Sequence, residues 1–138
     1  MFSKPEYGWV WISVGDCRIE GSYLTDIPMD FLNALINSLE HDLPFSVSVD
    51  EEGIRDMICA DRSGVFVIEL RRGTAELKQA HISLEEFRAG IIDGVETYFD
   101  QWVYDWELLD LDRGDRHYAR RKAELESKLS TAKRLLNG

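Results

Sequence analysis

The stretch Ser83 to Leu109 constrains this chain most, because it reads as one long helix with two unlike sides. Leu84, Phe87, Ile91, Val95, Tyr98, Phe99, Trp102, Trp106 and Leu109 recur at steps of three and four, the period of a helix with one buried face. Ser83, with Glu86 three residues on, forms a capping box at its start. Asp93, Glu96, Asp100 and Glu107 keep the same period on another face. Such a rod needs something apolar to lie on and leaves a line of carboxylates facing elsewhere.

What precedes it supplies the apolar surface. Tyr7 to Val14 predicts a strand with Tyr7, Trp9 and Trp11 on one face and Val10, Ile12 and Val14 on the other. Gly15-Asp16 predicts a tight turn, and Cys17 to Tyr23 the returning strand. Thr25-Asp26 offers an N-cap, Pro28 sits where its missing N–H costs nothing, and Phe31, Leu32, Leu35, Ile36 and Leu39 give a helix that must end before Pro44. Phe45, Val47 and Val49 alternate with polar residues as a half-buried strand, and Glu51-Glu52-Gly53 turns the chain. Ile54 to Ala60, Val65 to Arg72 and Ala75 to Ile82 follow as strands, the middle one with Phe66, Ile68 and Leu70 towards the core. After a break at 110–115 with Gly114 at a helix end, His117 to Leu136 predicts a last helix whose stripe is Tyr118, Leu125, Leu129, Ala132 and Leu136. The order β-β-α-β-β-β-β-α-α defines an α+β fold, an antiparallel sheet of about five to six strands with helices packed on it. A chain of 138 residues without repeat or long linker is expected to form a single domain, 1–138.

Charge narrows the classes of partner. The chain holds 26 acidic and 16 basic residues, net −10. Residues 1–112 carry 23 acids against 8 bases, and residues 113–138 carry 3 against 8. An acidic body repels phosphate, which argues against nucleic acid and anionic membrane and favours a basic partner. Met1 to Glu6 is short and polar, no run approaches the roughly 20 apolar residues that span a bilayer, and Cys17 and Cys59 form no Cys-x-x-Cys pair. A cytoplasmic protein with two free thiols is the expectation.

No catalytic or cofactor signature is present. His41, His81 and His117 are scattered, and neither a Gly-x-Ser-x-Gly elbow nor a phosphate-cradling glycine loop occurs. Asp110, Asp112 and Asp115 begin like a calcium loop, but Gly114 falls one place early and Arg121 stands where a bidentate Glu is required. Asp93, Glu96 and Asp100 lack the Glu-x-x-His pairs of helical di-metal sites. The expectation is therefore no metal, no cofactor and no enzyme. From Asp93 to Asp112 the chain has seven acids and no base, with Tyr104 falling between Asp100 and Glu107 on the acidic side. An exposed tyrosine among carboxylates has the composition of a hot spot for a basic protein, the ring anchoring and the charges steering. The candidate contact residues are Asp93, Glu96, Asp100, Tyr104 and Glu107, and reversing Asp100 and Glu107 to Lys is expected to slow association with the fold intact.

The segment Gly8-Trp9-Val10-Trp11-Ile12-Ser13-Val14-Gly15, followed by Ser22-Tyr23-Leu24-Thr25-Asp26-Ile27-Pro28 and a Leu-rich helix, resembles a group of small acidic bacterial proteins of unknown function. More loosely, the size, acidity and α+β order are similar to immunity proteins of contact-dependent inhibition and related toxin systems. That likeness implies a protein that binds one cognate toxin and performs no chemistry; it assigns no residue a role. The alternative is a scaffold that self-associates as a homodimer through Leu125, Leu129 and Leu136 of the basic C-terminal helix.

Overall fold

The computed structural model describes residues 1–51 and 53–138, so the expected turn residue Glu52 lies outside the described residues. The chain opens with a hairpin. β1 (Trp9–Val14) pairs antiparallel with β2 (Cys17–Ser22), and Gly15-Asp16 makes the two-residue turn between Val14 and Cys17. Gly15 has φ +60°, and a Cβ there would lie 2.8 Å from the His81 carbonyl oxygen, so only glycine fits. Val10, Ile12 and Val14 are buried, whereas Trp11 stays exposed with the Arg18 guanidinium 4.1 Å from its ring centroid. The two faces of this strand therefore differ: one enters the core, the other is shielded by a cation.

α1 (Ile27–His41) follows, then the meander β3 (Phe45–Glu51), β4 (Ile54–Asp61), β5 (Gly64–Arg71) and β6 (Thr74–Ala80). The fold is α+β in the expected order, but its strands form two sheets, β1-β2 and β3-β4-β5-β6. The reason lies at Asp50. Its N–H donates to Thr25 Oγ1 at 3.0 Å, and its carbonyl accepts from Ser22 Oγ at 3.2 Å. Side-chain hydroxyls take the backbone groups that a continuing ladder would have used. At its other end the hairpin is held by Asp16, which accepts from the His81 N–H at 2.8 Å and meets His81 Nδ1 at 2.7 Å. The small sheet thus spans from the far end of β3 to the end of β6.

One core serves both sheets. Phe45, Val47 and Val49, Ile58 and Ala60, Val65 and Val67, and Ala80 line the inner face of the large sheet. This corrects the expected face of β5, where Val65 and Val67 are buried and Phe66, Ile68 and Leu70 are half-exposed. A strand that is apolar on both sides has no preferred phase. The register Ala60↔Val65 and Ile58↔Val67, set by the turn between Asp61 and Gly64, decides it.

The long helix is also corrected. α2 (Leu84–Thr97) stops at Tyr98, whose φ −111° and ψ 32° leave the helical region, and α3 (Phe99–Tyr104) is a separate short helix. Thr97-Tyr98-Phe99 is a β-branched and aromatic run of weak helix propensity. Packing exploits the bend: Trp102 is fully buried, with Nε1 donating to the Gly94 carbonyl at 3.2 Å, and Trp106 donates to the Thr25 carbonyl at 3.1 Å. Phe2 stacks edge-on against both Phe31 and Trp102 and lies so close to Gly94 that a Cβ there would sit 2.3 Å from its ring. The predicted start holds, since Ser83 Oγ accepts from the Glu86 N–H at 3.0 Å.

α4 (Arg116–Asn137) is capped by Asp115, whose carboxylate accepts from the His117 N–H at 2.8 Å. It packs along α1 and buries Tyr118, Leu125, Leu129 and Ala132 within its own chain, with Leu136 half-buried. Leu125 and Leu129 of the expected self-association stripe are thus engaged within the chain.

Candidate interaction surface

The last helix reaches one member of the acid line, Glu107, through Arg121. This guanidinium is 6% exposed and is fixed from three sides. Nε donates to the Trp102 carbonyl at 3.0 Å and lies 3.2 Å from Glu107 Oε1. Its two terminal nitrogens grip Asp26 fork-to-fork at 2.9 and 3.1 Å. Asp26 occupies the N-cap position of α1, yet its side chain makes no capping hydrogen bond, because the arginine holds it. Glu107 also receives His117 Nε2 at 2.8 Å. A charge this buried is tolerated only when its donors are matched.

The five expected contact residues are consequently not one surface. Asp93 and Glu96 lie on α2, Asp100 and Tyr104 on α3, and Glu107 in the following loop. Glu96 is paired with Lys133 of α4, and Glu107 with Arg121 and His117. Tyr104 is not the exposed anchor that was expected. It is half-buried against Tyr118, ring centroids 5.3 Å apart, and Arg113 covers its outer face at 4.6 Å while reaching Asp105 at 3.9 Å. Asp93 and Asp100 are exposed and make no ion pair among the described residues.

Beyond Tyr104 the chain forms a long irregular connection, 105–115; the helical spacing had carried the rod on through 105–109, whereas the break at 110–115 lies where it was expected. Here Leu108, Leu109 and Leu111 are exposed, and Asp110 and Asp112 make no ion pair among the described residues. Leu108 has φ +56°, and Tyr7, across a shallow cleft from it, has φ +50°. Left-handed backbone is unfavourable for bulky side chains. Both strained residues nevertheless point outward, at 48% and 83% exposure. Between them Gly8, φ +75°, approaches Tyr23 and Leu108 so closely that a Cβ would meet each ring or methyl at about 3 Å. Tyr23 and Leu24 are exposed beside it. Tyr7, Tyr23, Leu108 and Leu109 thus gather around this cleft, with Lys4, Glu6 and Asp105 also lining it and Asp110 and Asp112 further along the loop. The visible sequence signal was the Leu-Leu-Asp-Leu-Asp alternation from Leu108 to Asp112, which fits neither a helical stripe nor a buried strand.

The histidines stay apart, at Glu40, Asp16 and Glu107 respectively, and both cysteines are free and half-buried. Among the described residues no group of three or more His, Cys, Asp or Glu could hold a metal ion, and no helix is long and apolar enough to cross a membrane. The chain matches no protein-family model, no curated protein and no solved structure.

Proposed function

We propose that the chain is a non-catalytic binding protein of the cytoplasm, an immunity protein that neutralises a cognate basic bacterial toxin. The observation that carries this reading is the pair Tyr7 and Leu108, two bulky residues held in left-handed backbone and presented outward in an acid-rimmed apolar patch. Strain of this kind persists where surrounding structure imposes it, and exposed aromatic and leucine side chains inside a charged rim are the composition of a protein-binding hot spot. Asp110 and Asp112 steer a cationic partner; Tyr7, Tyr23 and Leu108 anchor it. The contact surface is thus moved from the α2 face to the 105–115 loop and the hairpin entrance.

The test is co-expression with the toxin domain encoded beside this chain's gene. Protection of growth is expected for the parent chain, and its loss for Tyr7→Asp combined with Leu108→Asp. A neighbouring gene that encodes no toxin, or protection unaffected by both substitutions, contradicts the reading.

A further inference from the structure

Among the described residues one face of the large sheet carries half-exposed apolar side chains, and of its two edge strands β3 meets the hairpin at Asp50 whereas β6 pairs only with β5. On the open face Met57, Cys59, Phe66, Ile68 and Leu70 are half-exposed, and Leu77 of β6 is 64% exposed. β6 is the edge, and Thr74 to Gln79 are exposed throughout. Proteins normally blunt such an edge with proline, a bulge, a short strand or charged side chains, and of these β6 carries only the charges of Glu76 and Lys78. β6 has no proline, and its pairing with β5 runs unbroken from Arg71↔Thr74 to Val65↔Ala80. The two-residue turn Arg72-Gly73 closes on a hydrogen-bonded pair, Arg71 with Thr74. By alternation, the backbone N–H and C=O groups of Ala75, Leu77 and Gln79 point away from β5.

We infer that β6 pairs antiparallel with β6 of a second copy of this chain, across a two-fold axis at Leu77, joining the two large sheets into one. The sequence of the strand is self-complementary in that register. Leu77 faces its own copy on the open side, Ala75 faces Gln79, and Glu76 faces Lys78 twice on the other side. Every outward backbone group finds a mate. Sliding the pairing by two residues in either direction sets Glu76 against Glu76 or Lys78 against Lys78, so charge selects one register. Within one chain, Glu76 stands opposite Glu69, and Lys78 is committed to Glu69 at 3.1 Å. The hydrogen bond and charge of Glu69, with the charge of Glu76, raise the Lys78 pKa above its ordinary value. The second copy's Lys78 would stand directly opposite Glu76, a cation closer to it than Lys78 of its own strand.

Sedimentation equilibrium of the full chain over a concentration series tests this. Glu76→Lys is the informative variant. It improves the intramolecular pair with Glu69, so the fold keeps its thermal midpoint or gains, while Lys then faces Lys78 of the copy twice. Dimer dissociation is expected to rise about tenfold. Adding Lys78→Glu restores opposite charges across the axis and returns the dimer. A chain that is monomeric at every concentration, or a dimer indifferent to Glu76→Lys, overturns the proposal, as does a Glu76→Lys dimer that the second substitution fails to restore.

Discussion

Two groups of acids in this molecule have the same composition and opposite fates. Asp26, Glu96 and Glu107 border the last helix and are paired with it, Asp26 and Glu107 with Arg121, Glu96 with Lys133, and Glu107 also with the His117 ring. Asp110 and Asp112 lie a few residues further along and are left open beside exposed leucines. The first group holds helices together; the second is available to something outside the chain. Net charge does not distinguish them, because the separation depends on where α4 lands. An acidic run becomes a docking surface only where the chain's own cations cannot reach.

The largest effect comes from the buried indole that fixes α3 beneath Arg121. Trp102→Ala is expected to cost about 3–5 kcal/mol, since a fully buried indole is lost and its hydrogen bond to Gly94 with it. Denaturant unfolding measures this; a loss below roughly 1 kcal/mol would mean that the packing around α3 is wrong. Arg121→Ala follows at about 2–4 kcal/mol, less than for a fully buried pair because Asp26 and Glu107 can partly rehydrate. Glu107→Lys should cost about 1–3 kcal/mol, by placing a cation beside the buried guanidinium and His117. The expectation that this reversal spares the fold is therefore withdrawn for Glu107 and kept for Asp100. Equal unfolding midpoints for Glu107→Lys and Asp100→Lys would erase the distinction drawn here.

The sequence made the elements legible and left the contacts between them obscure. Turns at Gly15-Asp16, the Ser83 cap and the alternation of β3 are local, and each appears where its residues require it. What failed was phase and continuity. β5 is apolar on both faces, so its buried side was set by the register against Ile58 and Ala60. The rod from Ser83 to Leu109 kept helical spacing through Tyr98, yet the bend there and the loop after Tyr104 answer to packing against Gly94 within the rod and to Phe2 and Thr25, which are distant in sequence. Of the expected contact residues, Asp93 and Asp100 are open, whereas Glu96, Tyr104 and Glu107 are engaged by α4 and Arg113. No spacing rule could pair Asp26 with Arg121 across 95 positions.

Asp56 sharpens the comparison at its smallest scale. It is buried on β4 with Arg71 3.1 Å away. Burial raises its pKa above the ordinary 3.8, outweighing the hydrogen bond and charge of Arg71. The ionised carboxylate thus costs stability at neutral pH, and the cost disappears as pH falls through the raised value towards 3.8. Asp56→Asn is expected to be as stable as the parent or better at pH 7, by less than about 1 kcal/mol, with the difference vanishing on acidification. A clear loss at pH 7 would show that Arg71 dominates.

The open acids offer the most direct test, because they should matter for capture and not for folding. Asp110→Lys with Asp112→Lys is expected to change unfolding stability by no more than about 0.5 kcal/mol. The rate of association with the basic toxin domain proposed as its partner, followed by stopped flow at low salt, should then fall about tenfold in that variant and hardly at all in Glu96→Lys. A slower rate in Glu96→Lys than in the loop variant, or the same rate in both, would place the docking surface elsewhere and contradict the division between paired and open acids.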